Sequence, residues 1–131
     1  MQNNMEYNYN LKGTKMETKI INDIAIVKSN EIIIQDVQSA IDFIMTIEYE
    51  TNCNKIALNK DAITEEFFIL SKGIAGEILQ KFINYQTKFA TYGDYSKYTS
   101  KPLQDFIYES NNGKDIFFVE NEDAAIKMLS K

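Results

Sequence analysis

Apolar positions along the chain alternate between a spacing of two and a spacing of three to four, and this change of period orders the elements. Lys19-Ile20-Ile21 and Ile24-Ala25-Ile26-Val27 are β-rich runs separated by Asn22-Asp23, a pair that tolerates positive φ and predicts a two-residue hairpin turn. After a short Ile32-Ile33-Ile34 run, Asp36 stands where it can cap a helix. Val37, Ala40, Ile41, Ile44 and Ile47 then keep the 3.6-residue spacing, and the helix is expected to end near Asn52. Lys55 to Asn59 reads as a strand around Ile56-Ala57-Leu58. Asp61 or Thr64 follows as a helix cap, with Glu65 and Glu66 in the first turn. From Gly73 to about Tyr85 the pairs Ile74/Ala75, Ile78/Leu79 and Phe82/Ile83 recur every four residues, giving one continuous stripe.

Phe89-Ala90-Thr91-Tyr92 is the next strand and closes on Gly93-Asp94. Thr99 or Ser100 caps a helix that carries Pro102 in its first turn and Leu103, Phe106 and Ile107 on its buried face. Asn111-Asn112-Gly113 supplies its stop, with Gly113 able to take the left-handed conformation. Asp115 to Val119 is a strand, and Asn121 caps a last helix from Glu122 to Ser130.

The order is therefore β-β-α-β-α-β-α-β-α. It predicts an α/β fold with a mainly parallel five-stranded sheet, right-handed crossovers and one antiparallel strand from the opening hairpin. Residues 1–16, polar and rich in Asn, read as a flexible N-terminal tail, and 17–131 as a single domain; Met16 serves as well as Met1 or Met5 for a translation start. The strands are apolar on both faces, so both faces need cover. If helices lie on one face only, the other falls to the tail with Tyr7 and Tyr9, to an apolar ligand, or to a second copy of the chain; a homodimer is the expected answer.

Composition narrows the chemistry. The 131 residues include 14 basic ones, all lysine, and no histidine, arginine or tryptophan. Dyads and triads that need an imidazole base, zinc sites of the usual kind and guanidinium clamps on phosphate are excluded, so no catalytic residue, metal or cofactor is expected. A net charge of −5 disfavours nucleic acid and anionic membrane surfaces as partners. Cys53 is the single cysteine, which rules out an internal disulfide and suits a reducing compartment. The opening residues carry no apolar signal segment, and a cytoplasmic location is expected.

In open parallel sheets ligands sit beyond the carboxyl ends of the strands. Those ends carry Asn59, Lys60 and Asp61, then Gly93, Asp94, Tyr95 and Lys97, and lastly Asn121, although Asn, Asp and Gly are also what turns and caps require. Asp61, Glu65 and Glu66 form an acidic cluster without metal-loop spacing, explained by a solvated first helical turn. Gly73 and Gly76 fall within a helical pattern, where close helix packing is the expected compensation.

Several long words carry a family resemblance: Asp36-Val-Gln-Ser-Ala-Ile-Asp42, Phe67-Phe68, the run Leu70-Ser71-Lys-Gly73-Ile-Ala-Gly76-Glu-Ile-Leu-Gln-Lys-Phe82, Gly93-Asp94, Lys97-Tyr98-Thr-Ser-Lys101 and Asp105-Phe-Ile-Tyr-Glu-Ser110. From Ile24 to the C-terminus the chain resembles the bacterial family called domain of unknown function 4180, which implies no activity. More distantly, Phe89-Ala-Thr-Tyr-Gly93-Asp94 and Phe117-Phe118 followed by Ala124-Ala125-Ile126 to Leu129 are similar to SpoIIAA-like and STAS domains. That likeness implies a β-β start, a βα superhelix with helices on one face of the sheet, which is the case that leaves the other face to be covered, and a role in protein contacts. It also aligns Ser71 with a serine phosphorylated in anti-anti-sigma members, with Leu70 where they have Asp; the alternative is that Ser71 caps the long helix.

The leading expectation is a non-catalytic regulatory or protein-interaction module with an unidentified protein partner, switched by phosphorylation at Ser71. A carrier of a small, partly apolar ligand at the sheet face or strand ends is the alternative. An enzyme using Lys60 with Asp61 or Asp94 stands third.

Overall fold

The computed structural model describes residues 5–11 and 14–131, with side chains from Met16 onward. Six strands form one sheet in sequential order: β1 (Met5–Leu11), β2 (Thr14–Ile21), β3 (Ile24–Lys28), β4 (Lys55–Asn59), β5 (Lys88–Tyr92) and β6 (Ile116–Val119). The first two junctions are antiparallel and the remaining three parallel. The expected five strands are all present. A sixth, β1, forms within the segment whose composition reads as a tail, and Glu17 lies inside β2 rather than at a domain edge. Residues 1–4 and 12–13 lie outside the described residues.

Local chemistry sets most of the boundaries. Asn22 and Asp23 both take positive φ, 55° and 64°, and turn β2 into β3. Helix α1 (Val37–Thr51) starts at a capping box in which Asp36 Oδ1 accepts the Ser39 N–H and Ser39 Oγ accepts the Asp36 N–H. Ser100 caps α3 (Lys101–Asn111), with Pro102 in its first turn, and Asn121 Oδ1 caps α4 (Glu122–Leu129) through the Ala124 N–H. Gly113 is not left-handed; α3 ends through Asn112 in ordinary helical geometry.

Residues 60–72 are not a regular helix. They form three short 3-10 turns, Lys60–Ala62, Glu65–Phe68 and Leu70–Lys72, anchored by buried Phe67 and Phe68. Helix α2 (Ile74–Asn84) starts only after Gly73, whose φ of 77° ends the last of these turns. Ser71 therefore does not cap α2, since Gly73 holds the cap position.

The strands are buried on both faces, as their apolar runs require. Ala25, Val27, Ile56, Leu58, Phe89, Ile116 and Phe118 meet α1, α2 and α3 on one face. Three sequential parallel crossovers with their helices on one face share one hand. The other face, with Ile24, Ile26, Ala57, Ala90, Tyr92 and Phe117, packs against Ala125 and Leu129 of α4. Ala57 and Ala90 are register partners between Ile26 and Phe117, so the row dips in the middle and admits α4 closely. This corrects the expectation of an uncovered sheet face. The cover is α4, and the apolar argument for a homodimer falls with it.

Close helix packing does not explain Gly73 and Gly76 either: an added Cβ would meet nothing within 4 Å at either position. Gly73 is needed for its positive φ, whereas Gly76 is exposed in the first turn of α2. Gly76→Ala is therefore expected to stabilise the fold by about 0.5–1 kcal/mol, because glycine in a helix costs about that much relative to alanine. Urea midpoints of the two proteins check this, and a lower midpoint for the variant would contradict it.

Candidate functional site

The carboxyl ends of the parallel strands open into a cavity of about 370 Å³ lined by Lys28, Asn59, Lys60, Asp61, Tyr92, Gly93, Asp94 and Lys97. Its place follows from the topology: β3, β4 and β5 run parallel and stop together, and their loops diverge to the next helices. Of the residues expected there, the structure brings together Asn59, Lys60, Asp61, Gly93, Asp94 and Lys97. Tyr95 and Asn121 are elsewhere. The Tyr95 ring, half-buried, packs against Phe68 and Phe118 at the edge of the core, and its hydroxyl donates to the Thr91 carbonyl at 3.0 Å. Asn121 is occupied as the α4 cap.

Much of the cavity wall is structural. Asn59 clamps the end of β4 to the end of β3: its Oδ1 accepts the Ser29 N–H at 2.9 Å and its Nδ2 donates to the Ser29 carbonyl at 2.7 Å. Tyr92 Oη donates to the Val27 carbonyl at 3.0 Å, and burial first, then the charge of Glu122, pushes the phenol well above its ordinary range. Asp94 accepts the Ser96 N–H at 2.9 Å, and hydrogen bonding from Ser96 holds its carboxyl below the ordinary value.

Lys60 is the exception. It is only 6% exposed, although lysine is among the residues least often buried. Gly93 lies against the root of its side chain, where a Cβ would come within 2.8 Å of Lys60 Cβ. Its Nζ stands 5.0 Å from the Tyr98 ring centre and 5.6 Å from that of Phe68, two rings stacked at 4.8 Å. The ring faces carry negative charge and favour the cation. Glu65 Oε1 accepts from Nζ at 3.4 Å, and Asp61 Oδ1 lies 4.0 Å away.

Glu65 joins the segments. Its carboxylate also accepts from Tyr98 Oη at 2.8 Å and from Lys97 Nζ at 3.1 Å, residues more than thirty positions along the chain. Partial burial pushes the carboxyl up, but the Tyr98 and Lys97 hydrogen bonds and the Lys60 charge outweigh it and hold it below the ordinary value. The Tyr98 phenol moves the other way, raised first by burial and then by the hydrogen bond to Glu65.

The sequence puts Glu65 in a solvated helical turn and Tyr98 at the end of the strand-end segment that starts at Gly93, with no signal that pairs the two. Ser71 is exposed and outside the cavity. Cys53 is buried, and burial pushes its thiol up, away from nucleophilic character. No helix among the described residues is long and apolar enough to cross a membrane.

A family model described as domain of unknown function (DUF4180) matches residues 20–129. No curated protein matches the chain. Among solved structures, the chain is similar to a Thermotoga maritima protein provisionally described as an anti-sigma factor antagonist, at 16% identity, over 87% of this chain and 93% of that one, with a TM-score of 0.47.

Proposed function

The chain belongs to the DUF4180 family, whose function is unknown, and from that premise we propose a non-catalytic regulatory module that acts by binding a small anion in the cleft at the strand ends. The observation that carries this reading is the buried, caged cation Lys60 in the cavity wall. Burying an ammonium group costs several kcal/mol unless it is compensated, and here the compensation is two ring faces and a carboxylate shared with Lys97. The cavity wall holds three lysines against two aspartates, on a chain whose net charge is −5. Glu65, just outside the lining, answers Lys60 and Lys97 and balances the group, so an anion enters by competing with it, while the net charge repels polyanions elsewhere.

The test is thermal denaturation with a panel of small anions, phosphate, acetate and citrate, at constant ionic strength. At least one is expected to raise the melting temperature of the wild type saturably. Lys60→Met, which keeps the apolar stem against the rings, is expected to need at least tenfold more of it, about 1.4 kcal/mol. If no anion shifts the wild type, or the variant responds equally, the reading fails.

A second reading keeps Ser71 as a phosphorylation switch. It is favoured by the exposure of Ser71 and by Gly73, which leaves the first N–H groups of α2 without a side-chain cap. Intact mass of the protein from its own host tests it: one added phosphate, lost in Ser71→Ala, supports it, and an unmodified mass removes it.

A further inference from the structure

Glu65 and two of its donors, Lys60 and Tyr98, differ in how they are held. The Lys60 side chain is 7% exposed and the Glu65 side chain 60%. Lys60 is fixed by Gly93 along its stem and by the two rings at its head, and the Tyr98 ring is itself stacked on buried Phe68. Lys97 Nζ sits 5.3 Å from the other partner of that stack, the Tyr98 ring centre. Three donors, Lys60 Nζ, Lys97 Nζ and Tyr98 Oη, thus converge on one point; Lys60 and Tyr98 reach it from positions set by other contacts, and Lys97, 60% exposed like Glu65, reaches it across the Tyr98 ring face. The group at that point is a carboxylate on an exposed turn.

We infer that these three donors form a receptor for a carboxylate, that Glu65 is its internal occupant, and that an external carboxylate ligand binds by displacing it. The inference rests on the anion-binding reading above and names the ligand class and the atoms that hold it. Two ammonium groups and a phenol hydroxyl match the two oxygens of a carboxylate: both charges are answered partly by the ligand, and the hydroxyl donates. Lys60 and Lys97 also line the cavity, so the body of a bound ligand would extend from the receptor into it.

A tethered occupant competes at high effective concentration, millimolar or above for a short link. It lowers the apparent affinity for free carboxylates and lets only a ligand with further contacts in the cavity displace it. Removing the side chain should therefore expose the receptor to the simplest probe, acetate.

The experiment compares wild type, Glu65→Ala and Glu65→Ala/Lys60→Met in sodium acetate against sodium chloride at equal ionic strength, reading the melting temperature. Acetate is expected to stabilise Glu65→Ala saturably, at concentrations at least tenfold below any effect on the wild type, and to leave the double variant responding as it does to chloride. Equal responses to acetate and chloride in folded Glu65→Ala overturn the inference. Should Glu65→Ala fail to fold, Glu65→Gln decides: an acetate response stronger than the wild type's supports the receptor, and an identical one overturns it. If Glu65→Ala binds acetate while no anion shifts the wild type, the receptor stands and the ligand-binding function falls. If an anion binds wild type and Glu65→Ala equally, the function stands and the receptor falls.

Discussion

Phe82→Ala is expected to lower the unfolding free energy by about 3–5 kcal/mol, the range for emptying a fully buried aromatic site. Phe82 is 0% exposed, and its ring stacks on that of Phe89 with centroids 4.1 Å apart and planes 24° apart. This stack is where α2 docks on β5. It is enclosed by the same cluster that holds Phe43, Ile56 and Ile78. The cluster draws on three helices and five strands locked in register, so the site has little freedom to collapse around a missing ring. Against the roughly 5–15 kcal/mol that separates native from unfolded states in most domains, such a loss leaves a marginal protein. Guanidinium denaturation measures it directly. A loss under about 1 kcal/mol at unchanged m-value would mean that α2 re-seats on the sheet, and that the stack does not fix the layer.

The elements legible from sequence are those whose signals are local. Asp36 with Ser39, Asn22-Asp23, Ser100 with Pro102, and Asn121 each satisfy backbone groups within three or four residues, so neighbours in the sequence are the neighbours in space. Strand β1 was missed because its Asn residues are depleted in strands. The period-two alternation of Met5, Tyr7, Tyr9 and Leu11 with Glu6, Asn8 and Asn10 was nevertheless present. That α4 covers the second face was not legible: Ala125 and Leu129 mark an apolar stripe, but a stripe carries no record of which side of the sheet it meets.

The candidate site divides in the same way. The rule for strand ends puts Asn59, Lys60, Asp61, Gly93, Asp94 and Lys97 in one place, and they line one cavity, since topology alone sets where those loops lie. It failed for Tyr95, whose ring has more to gain from Phe68 and Phe118 than from a polar cleft. It could not place Glu65 beside Tyr98, because that contact spans 33 residues and depends on how the 3-10 turns after β4 fold back.

Gly93→Ala is expected to cost about 1–3 kcal/mol and to weaken anion binding together with stability, which distinguishes it from substitutions at Gly73, Gly76 and Gly113, none of which lies against Lys60. The added methyl would stand 2.8 Å from Lys60 Cβ and 3.5 Å from its Cδ. The first of these atoms is the root of the side chain, so no rotamer change relieves the overlap; the ends of β4 and β5 must move apart. Yet Gly93 is tied to β6, its N–H donating to the Val119 carbonyl at 3.0 Å, and Asn59 ties the end of β4 to β3. The shift therefore falls on Lys60, whose Nζ has to hold its distance from two rings and from Glu65 at once. Denaturation and anion titration on one sample separate the cases. A loss of stability with unchanged anion affinity would place the strain in the sheet and show that the cage around Lys60 tolerates it. Loss of both is the outcome expected if the close approach of Gly93 is what sets the position of the cation.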